Sequence, residues 1–254
     1  MCTYVVGDIH GCFDEWQKIK NFIELKDKDG NFILVGDIID RGPKTFEMLN
    51  WAMNNITEDG KYQMVLGNHE HMKIDWWERE KHYNKSIKSL NKVRTDQYNF
   101  LIEAIINNIT YAQMDNIIEW FKQLPVYKDI NIQGQRFIIV HAHMPFLAVE
   151  SDGITIKNNL DDDTISRIVW DRNADPVRSV KDAIIVNGHN PSIFRECFPF
   201  RWKNYEYGKV IANGNRINID CGLVYKGARE FKGIADLAVL KLEDLSVTYL
   251  SNIQ

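Results

Sequence analysis

A chain of 254 residues with 44% hydrophobic and 26% charged side chains has ordinary globular composition, which excludes a disordered or fibrous protein. Its net charge of -4 excludes the broad basic footprint of a non-specific nucleic-acid binder. No apolar stretch reaches the ~18 residues of a membrane helix and no basic-then-apolar run precedes Asp8, so a cytoplasmic protein with neither anchor nor leader is expected.

The first 70 residues read strand, helix, strand, helix, strand. Val5-Val6 ends in Gly7-Asp8-Ile9-His10, and Phe13, Trp16, Ile19 and Ile23 follow at helical period. A turn at Asp27-Lys28-Asp29-Gly30-Asn31 precedes the predicted strand Phe32 to Val35. Pro43 suits the first turn of a helix whose apolar face is Phe46, Leu49 and Met53. Such alternation predicts a parallel α/β core. Residues 71–135 are expected to form a mostly helical insertion beside the site, in which Met114, Ile117, Ile118, Phe121 and Leu124 make an amphipathic helix stopped by Pro125. Ala238 to Leu250 alternates around Glu243-Asp244 as a hairpin does. One site must draw on nearly the whole length, so a single domain over 1–254 is expected.

Six short apolar runs end in a polar residue able to bind metal: Asp8 with His10, Asp37, Asn68-His69, His141, His189 and Asp220. Open α/β sheets place their active sites at such strand ends. Two cations about 3.5–4 Å apart can clamp a phosphate and acidify a water. Carboxylates, imidazoles and an amide oxygen without thiolate suit Mn²⁺, with Fe or Zn as alternatives. Cys2, Cys12, Cys197 and Cys221 form no CxxC pair, which suits a reducing compartment, and none has an arginine six positions on, so thiol phosphatase chemistry is set aside.

Gly7-Asp8-Ile9-His10-Gly11, Gly36-Asp37-Ile38-Ile39-Asp40-Arg41-Gly42 and Gly67-Asn68-His69-Glu70, followed by His141 and His189, resemble the phosphoprotein phosphatase family of calcineurin-like metallophosphoesterases. Within it the chain looks most like the small bacterial and bacteriophage serine/threonine phosphatases. The resemblance implies a four-layer αββα sandwich of two mixed sheets with helices outside. It makes Asp37 the bridge between two metals, with Asp8 and His10 completing the first and Asn68, His141 and His189 the second. It makes His69 the general acid, oriented by Asp40, with Arg41 binding phosphate and Asn68 contacting substrate. Arg172, in Ile168-Val169-Trp170-Asp171-Arg172, is the second phosphate-binding arginine. From its position past the last ligand-bearing strand, in Gly222-Leu223-Val224-Tyr225, Tyr225 is expected at the cleft edge as a substrate contact. The implied reaction is attack of a metal-bridging hydroxide on a phosphomonoester, phosphoserine or phosphothreonine in a protein or a small phosphoester. The alternatives are a dinucleoside polyphosphate hydrolase or nucleotide or RNA-end phosphatase with the same metals and, remotely, a non-catalytic scaffold.

Other residues have plainer readings. Glu70 is expected to bond backbone, His71 and His82 to lie at the surface, and Trp76 and Trp77 to pack in the core. His143 is expected to support the ligands from behind, and Asp220 to be structural or to support them likewise. Asp161-Asp162-Asp163 reads as a helix entry. Lys73, Lys81, Lys85, Lys88, Lys92 and Arg94 read as a solvated helix face.

Overall fold

The computed structural model describes residues 1–81, 98–172, 180–198 and 205–253. The first sheet has the order β10-β9-β1-β2-β3. Its parallel centre is β1 (Thr3–Val6), β2 (Asn31–Leu34) and β3 (Tyr62–Met64), and the antiparallel pair β9 (Ala238–Lys241) and β10 (Val247–Tyr249) joins beside β1. The second sheet has the order β4-β5-β6-β8-β7, comprising β4 (Tyr127–Ile132), β5 (Gln135–Val140), β6 (Ala183–Asn187), β7 (Ile211–Asn213) and β8 (Arg216–Asn218). Its β5, β6 and β8 are parallel and its two edges antiparallel, so both sheets are mixed.

Strand alternation sorts the core into layers. Val5, Ile33 and Val35 of the first sheet meet Phe137, Ile139, Val186 and Ile217 of the second between the sheets. The opposite faces turn outward. Tyr4, Val6, Phe32 and Leu34 pack against α1 (Phe13–Lys26) and α2 (Thr45–Asn55), where Trp16, Ile19 and Leu49 are buried. Ile138, Val140 and Ile185 pack against Ile168 and Val169 of α6 (Asp162–Trp170). Helix, sheet, sheet, helix is the expected four-layer sandwich.

Among the described residues, the helices between 68 and 122 are α3 (Asn68–Glu80), α4 (Tyr98–Ile106) and α5 (Tyr111–Lys122). A capping box starts α5: Gln113 N–H donates to the Thr110 hydroxyl while Gln113 Oε1 accepts from the Thr110 backbone N–H. Strand β4 falls inside 71–135 and pairs with β5, so the helical part of that stretch ends at Lys122. The helix expected from Pro43 begins at Thr45, because Lys44 takes the non-helical backbone of an N-cap, with φ -133° and ψ 51°. Trp76 and Trp77 are in the core, and Asp161 caps α6. His82, Lys85, Lys88, Lys92 and Arg94 lie outside the described residues. No helix among the described residues is long and apolar enough to cross a membrane.

Candidate metal centre

The chain reaches the site at the C-terminal ends of the parallel strands. Asp8 and His10 follow β1, Asp37 follows β2, Asn68 and His69 open α3 just past β3, His141 follows β5, and His189 follows β6. Both sheets therefore deliver side chains to one edge. The backbone packs too closely there for substituted residues: a Cβ on Gly67 would lie 2.2 Å from the Asp37 nitrogen, and one on Gly188 2.0 Å from Asp8 Oδ1.

Three imidazoles are each fixed by one backbone carbonyl. His10 Nδ1–H donates to Ile39 O at 2.9 Å, His141 Nδ1–H to Val35 O at 2.7 Å, and His189 Nε2–H to Trp170 O at 3.2 Å. Each ring's remaining nitrogen is then a lone pair provided the ring is neutral. Burial supplies that condition: it lowers the proton affinity of all three, that of His10 to about 3. These second nitrogens converge on Asp37, whose Oδ1 lies 3.4 Å from His141 Nε2 and whose Oδ2 lies 3.5 Å from His10 Nε2. Asn68 Oδ1 stands 2.9 Å from both His141 Nε2 and His189 Nδ1. With that oxygen turned inward, lone pair faces lone pair, an arrangement that repels unless a cation lies among them. The donor set fits divalent metal, and carbonyl-tethered imidazoles are the usual support of such ligands.

Two clusters share Asp37: His10, Asp37 and His69, and Asp37, His141 and His189. A carboxylate with one oxygen turned to each cluster suits the bridging place the resemblance assigns. The first cluster brings His69, the expected acid, beside His10 and Asp37. Asp8 accepts the His189 backbone N–H at 3.1 and 3.3 Å. Burial, with Asp220 and Asp37 adding like charge, pushes the Asp8 carboxyl well above the ordinary range, and burial raises Asp220 to about 6. So much buried acid in one place also calls for a cation. Arg41 supplies one: its Nη1 donates to His10 Nε2 at 2.8 Å, standing on the lone pair that a metal would take.

His69 Nδ1–H donates to Asp40 Oδ2 at 2.6 Å, joining the expected acid to its expected orienter. Burial alone would raise the Asp40 carboxyl, but the His69 hydrogen bond and the Lys73 charge hold it below the ordinary carboxylate range. Arg172 Nη1 donates to His189 O and Asn190 Oδ1, both at 3.1 Å, so this arginine lies beside the second cluster. Tyr225 is half-buried, its ring edge-on to Phe194 at 5.0 Å and at 5.9 Å from Phe231; its ring contacts tie it to an aromatic group rather than to the ligands. His143 is buried, and its backbone N–H donates to Ile168 O of α6 at 3.1 Å. Asp220 Oδ1 accepts the Gly222 N–H, as a structural residue would.

Glu70 bonds backbone as expected, accepting Asp37 N–H at 2.9 Å and Ile38 N–H at 3.0 Å; burial, with the Asp37 charge, pushes it up to about 8. Lys73 contradicts the expectation of a solvated residue. It is fully buried and its Nζ lies 2.6 Å from Asp40 Oδ2. The missed signal was its spacing, four residues after His69 and so on the same helical face.

Symmetrical bis(5'-nucleosyl)-tetraphosphatase from Buchnera aphidicola subsp. Baizongia pistaciae is 26% identical over 215 residues, covering 84% of this chain and 66% of the relative. The enzyme of that name from Actinobacillus succinogenes is 32% identical over 143 residues, covering 56% of this chain and 44% of the relative. The chain thus spans from under half to about two thirds of the length of these curated relatives. Their names match the dinucleoside polyphosphate alternative and not the serine/threonine phosphatases that the motifs resemble most. A solved protein serine/threonine phosphatase from Saccharomyces cerevisiae shares the fold at TM-score 0.56 and 15% identity, covering 97% of this chain and 78% of that one. The profile of the calcineurin-like phosphoesterases matches residues 1–223, most of the length, and this chain belongs to that family.

Proposed function

We propose that the chain is a two-metal phosphoesterase, with dinucleoside polyphosphates as its leading substrate class. The observation that carries the chemistry is the convergence of three carbonyl-tethered, neutral imidazoles on the two sides of Asp37. The substrate class is supported by the names of the curated relatives. Divalent cations held by Asp8, His10, Asp37, Asn68, His141 and His189 would acidify a water and draw charge from phosphate oxygens, and manganese suits these donors.

The chain's own residues supply the rest. His69 has its Nδ1 proton committed to Asp40, so Nε2, 3.9 Å from Asp37 Oδ2, is the atom that hands a proton to the leaving oxygen. The Asp40 carboxylate stabilises the charged ring and fixes its plane. Arg41 and Arg172 flank the two clusters with planar forks of N–H donors, the geometry that grips two phosphate oxygens at once.

The Asp40–His69 pair favours a second reading. A serine or threonine alkoxide leaves only with a proton, whereas a nucleotide phosphate is already a stable anion, so a positioned acid fits a phosphoserine or phosphothreonine substrate. Metal-stripped protein supplied with Mn²⁺ and offered diadenosine tetraphosphate, a phosphoserine peptide and p-nitrophenyl phosphate separates the readings. Full activity without metal would end both. His69→Asn is expected to lower the rate on the phosphopeptide by about 10²–10⁴-fold, a loss that a non-catalytic scaffold would not register.

A further inference from the structure

We propose that Lys73 is a positioning residue for His69, its enclosed ammonium pinning the Asp40 carboxylate against which the imidazole is aligned. This rests on the reading above that His69 protonates the leaving oxygen. Lys73 is fully buried, and a lysine stripped of water is tolerated only beside an opposite charge. Its partner is Asp40 Oδ2, the same oxygen that accepts His69 Nδ1–H, and both contacts measure 2.6 Å. Asp40 Oδ1 is buried with no hydrogen-bond partner among the described residues. The carboxylate is therefore held from one side alone, by two residues four apart on one face of α3.

No regular backbone holds Asp40 in place of that grip. It lies in the turn after β2 at a φ of 67°, outside any strand or helix. Lys73 is braced in turn: the Phe100 ring of α4 lies 5.2 Å from its ammonium and packs on Phe46 of α2 at 5.2 Å. Without the lysine the carboxylate is free to turn Oδ1 toward whatever donor it can reach, and the imidazole loses its fixed plane. The loss is selective, because a misaligned proton donor matters where the leaving oxygen is basic and little where it departs as a stable anion.

The test compares Lys73→Met and Lys73→Gln with wild type in the full chain, using Mn²⁺, phenyl phosphate and p-nitrophenyl phosphate, with Mn²⁺ affinity measured by calorimetry. The expected result is a fall in kcat on phenyl phosphate of about 10–100-fold, the usual scale for losing a supporting residue. On p-nitrophenyl phosphate the fall should stay under about threefold, because that leaving group needs little proton transfer. KM and Mn²⁺ affinity should not move. Equal losses on the two esters, unchanged turnover of phenyl phosphate, weakened Mn²⁺ binding, or failure of both variants to melt cooperatively would each overturn the role of Lys73. A wild type inert toward both esters in Mn²⁺ would instead overturn the reading of His69, and this proposal with it.

Discussion

His10, Asp37, Asp40, Arg41 and His189 all hold positive φ, between 47° and 70°, a conformation that costs side-chain-bearing residues on the order of 1–3 kcal/mol each. Such backbone persists only where surrounding contacts over-determine it, and Glu70 makes two of those contacts. Its oxygens accept the N–H groups of Asp37 and Ile38, fixing the turn that presents the carboxylate proposed as the bridge. Glu70→Gln puts an amide NH₂ against one of these N–H groups, leaving a buried donor without an acceptor. The expected outcome is a loss of about 1–3 kcal/mol in unfolding free energy. A drop in Mn²⁺ affinity of about 10–100-fold should accompany it, because the residue supports a ligand. Thermal unfolding and calorimetry read the two effects separately. Unchanged Mn²⁺ affinity would show that Glu70 does not hold the bridge.

Among the elements, β1, β2, β5 and β6 were readable as apolar runs because both their faces are covered, by the opposite sheet and by helices. The candidate ligands were readable because they stand where those runs end. Strand β4 was not, since at the sheet edge Tyr127–Ile132 is only partly buried and carries Lys128 and Asp129, which blur any pattern. Helix α3 misled for a related reason: Lys73 in a helix of low mean hydropathy reads as solvent-facing until its partner Asp40, 33 residues earlier, is known. Long-range pairing of charges leaves no periodic trace. Glu24 of α1 is a second instance, accepting the distant Lys61 at 2.5 Å and Tyr62 of β3 besides its helical neighbour Lys20 at 3.0 Å. Burial would raise its carboxyl, but these hydrogen bonds win and bring it down to about 2. Since the folded value lies below the unfolded ~4.3, the stabilisation is complete above that pH and disappears as pH falls through about 2. Glu24→Gln should cost roughly 1–2 kcal/mol at pH 7, allowing for solvent screening of the partly exposed Lys61. Denaturant melts from pH 7 to 2.5 should show the gap between variant and wild type narrowing below pH ~4. A gap that stays constant would refute the ion-pair account.

For the molecule as a whole, the site lies where two sheets meet. Asp8, His10 and Asp37 come from the first sheet, and His141 and His189 from the second, joined through Asp37 and Asn68. Cations bound there tie the sheets across the shared core of Val35, Ile139 and Val186, so binding energy becomes folding energy for both halves together. At a free Mn²⁺ concentration of 100 times the dissociation constant the gain is about 2.7 kcal/mol. For a chain of this size that corresponds to a rise of about 5–10 °C in Tm, reversed by EDTA. Asp37→Asn removes the charge that faces both clusters, so the variant should melt at nearly the same temperature with and without Mn²⁺. Hydrogen exchange supplies the spatial readout: Mn²⁺ should slow exchange in β2, β5 and β6 of the wild type together. If the ion protected β5 and β6 alone, or raised the Tm of Asp37→Asn as much as that of wild type, the cations would not be shared between the sheets through this aspartate.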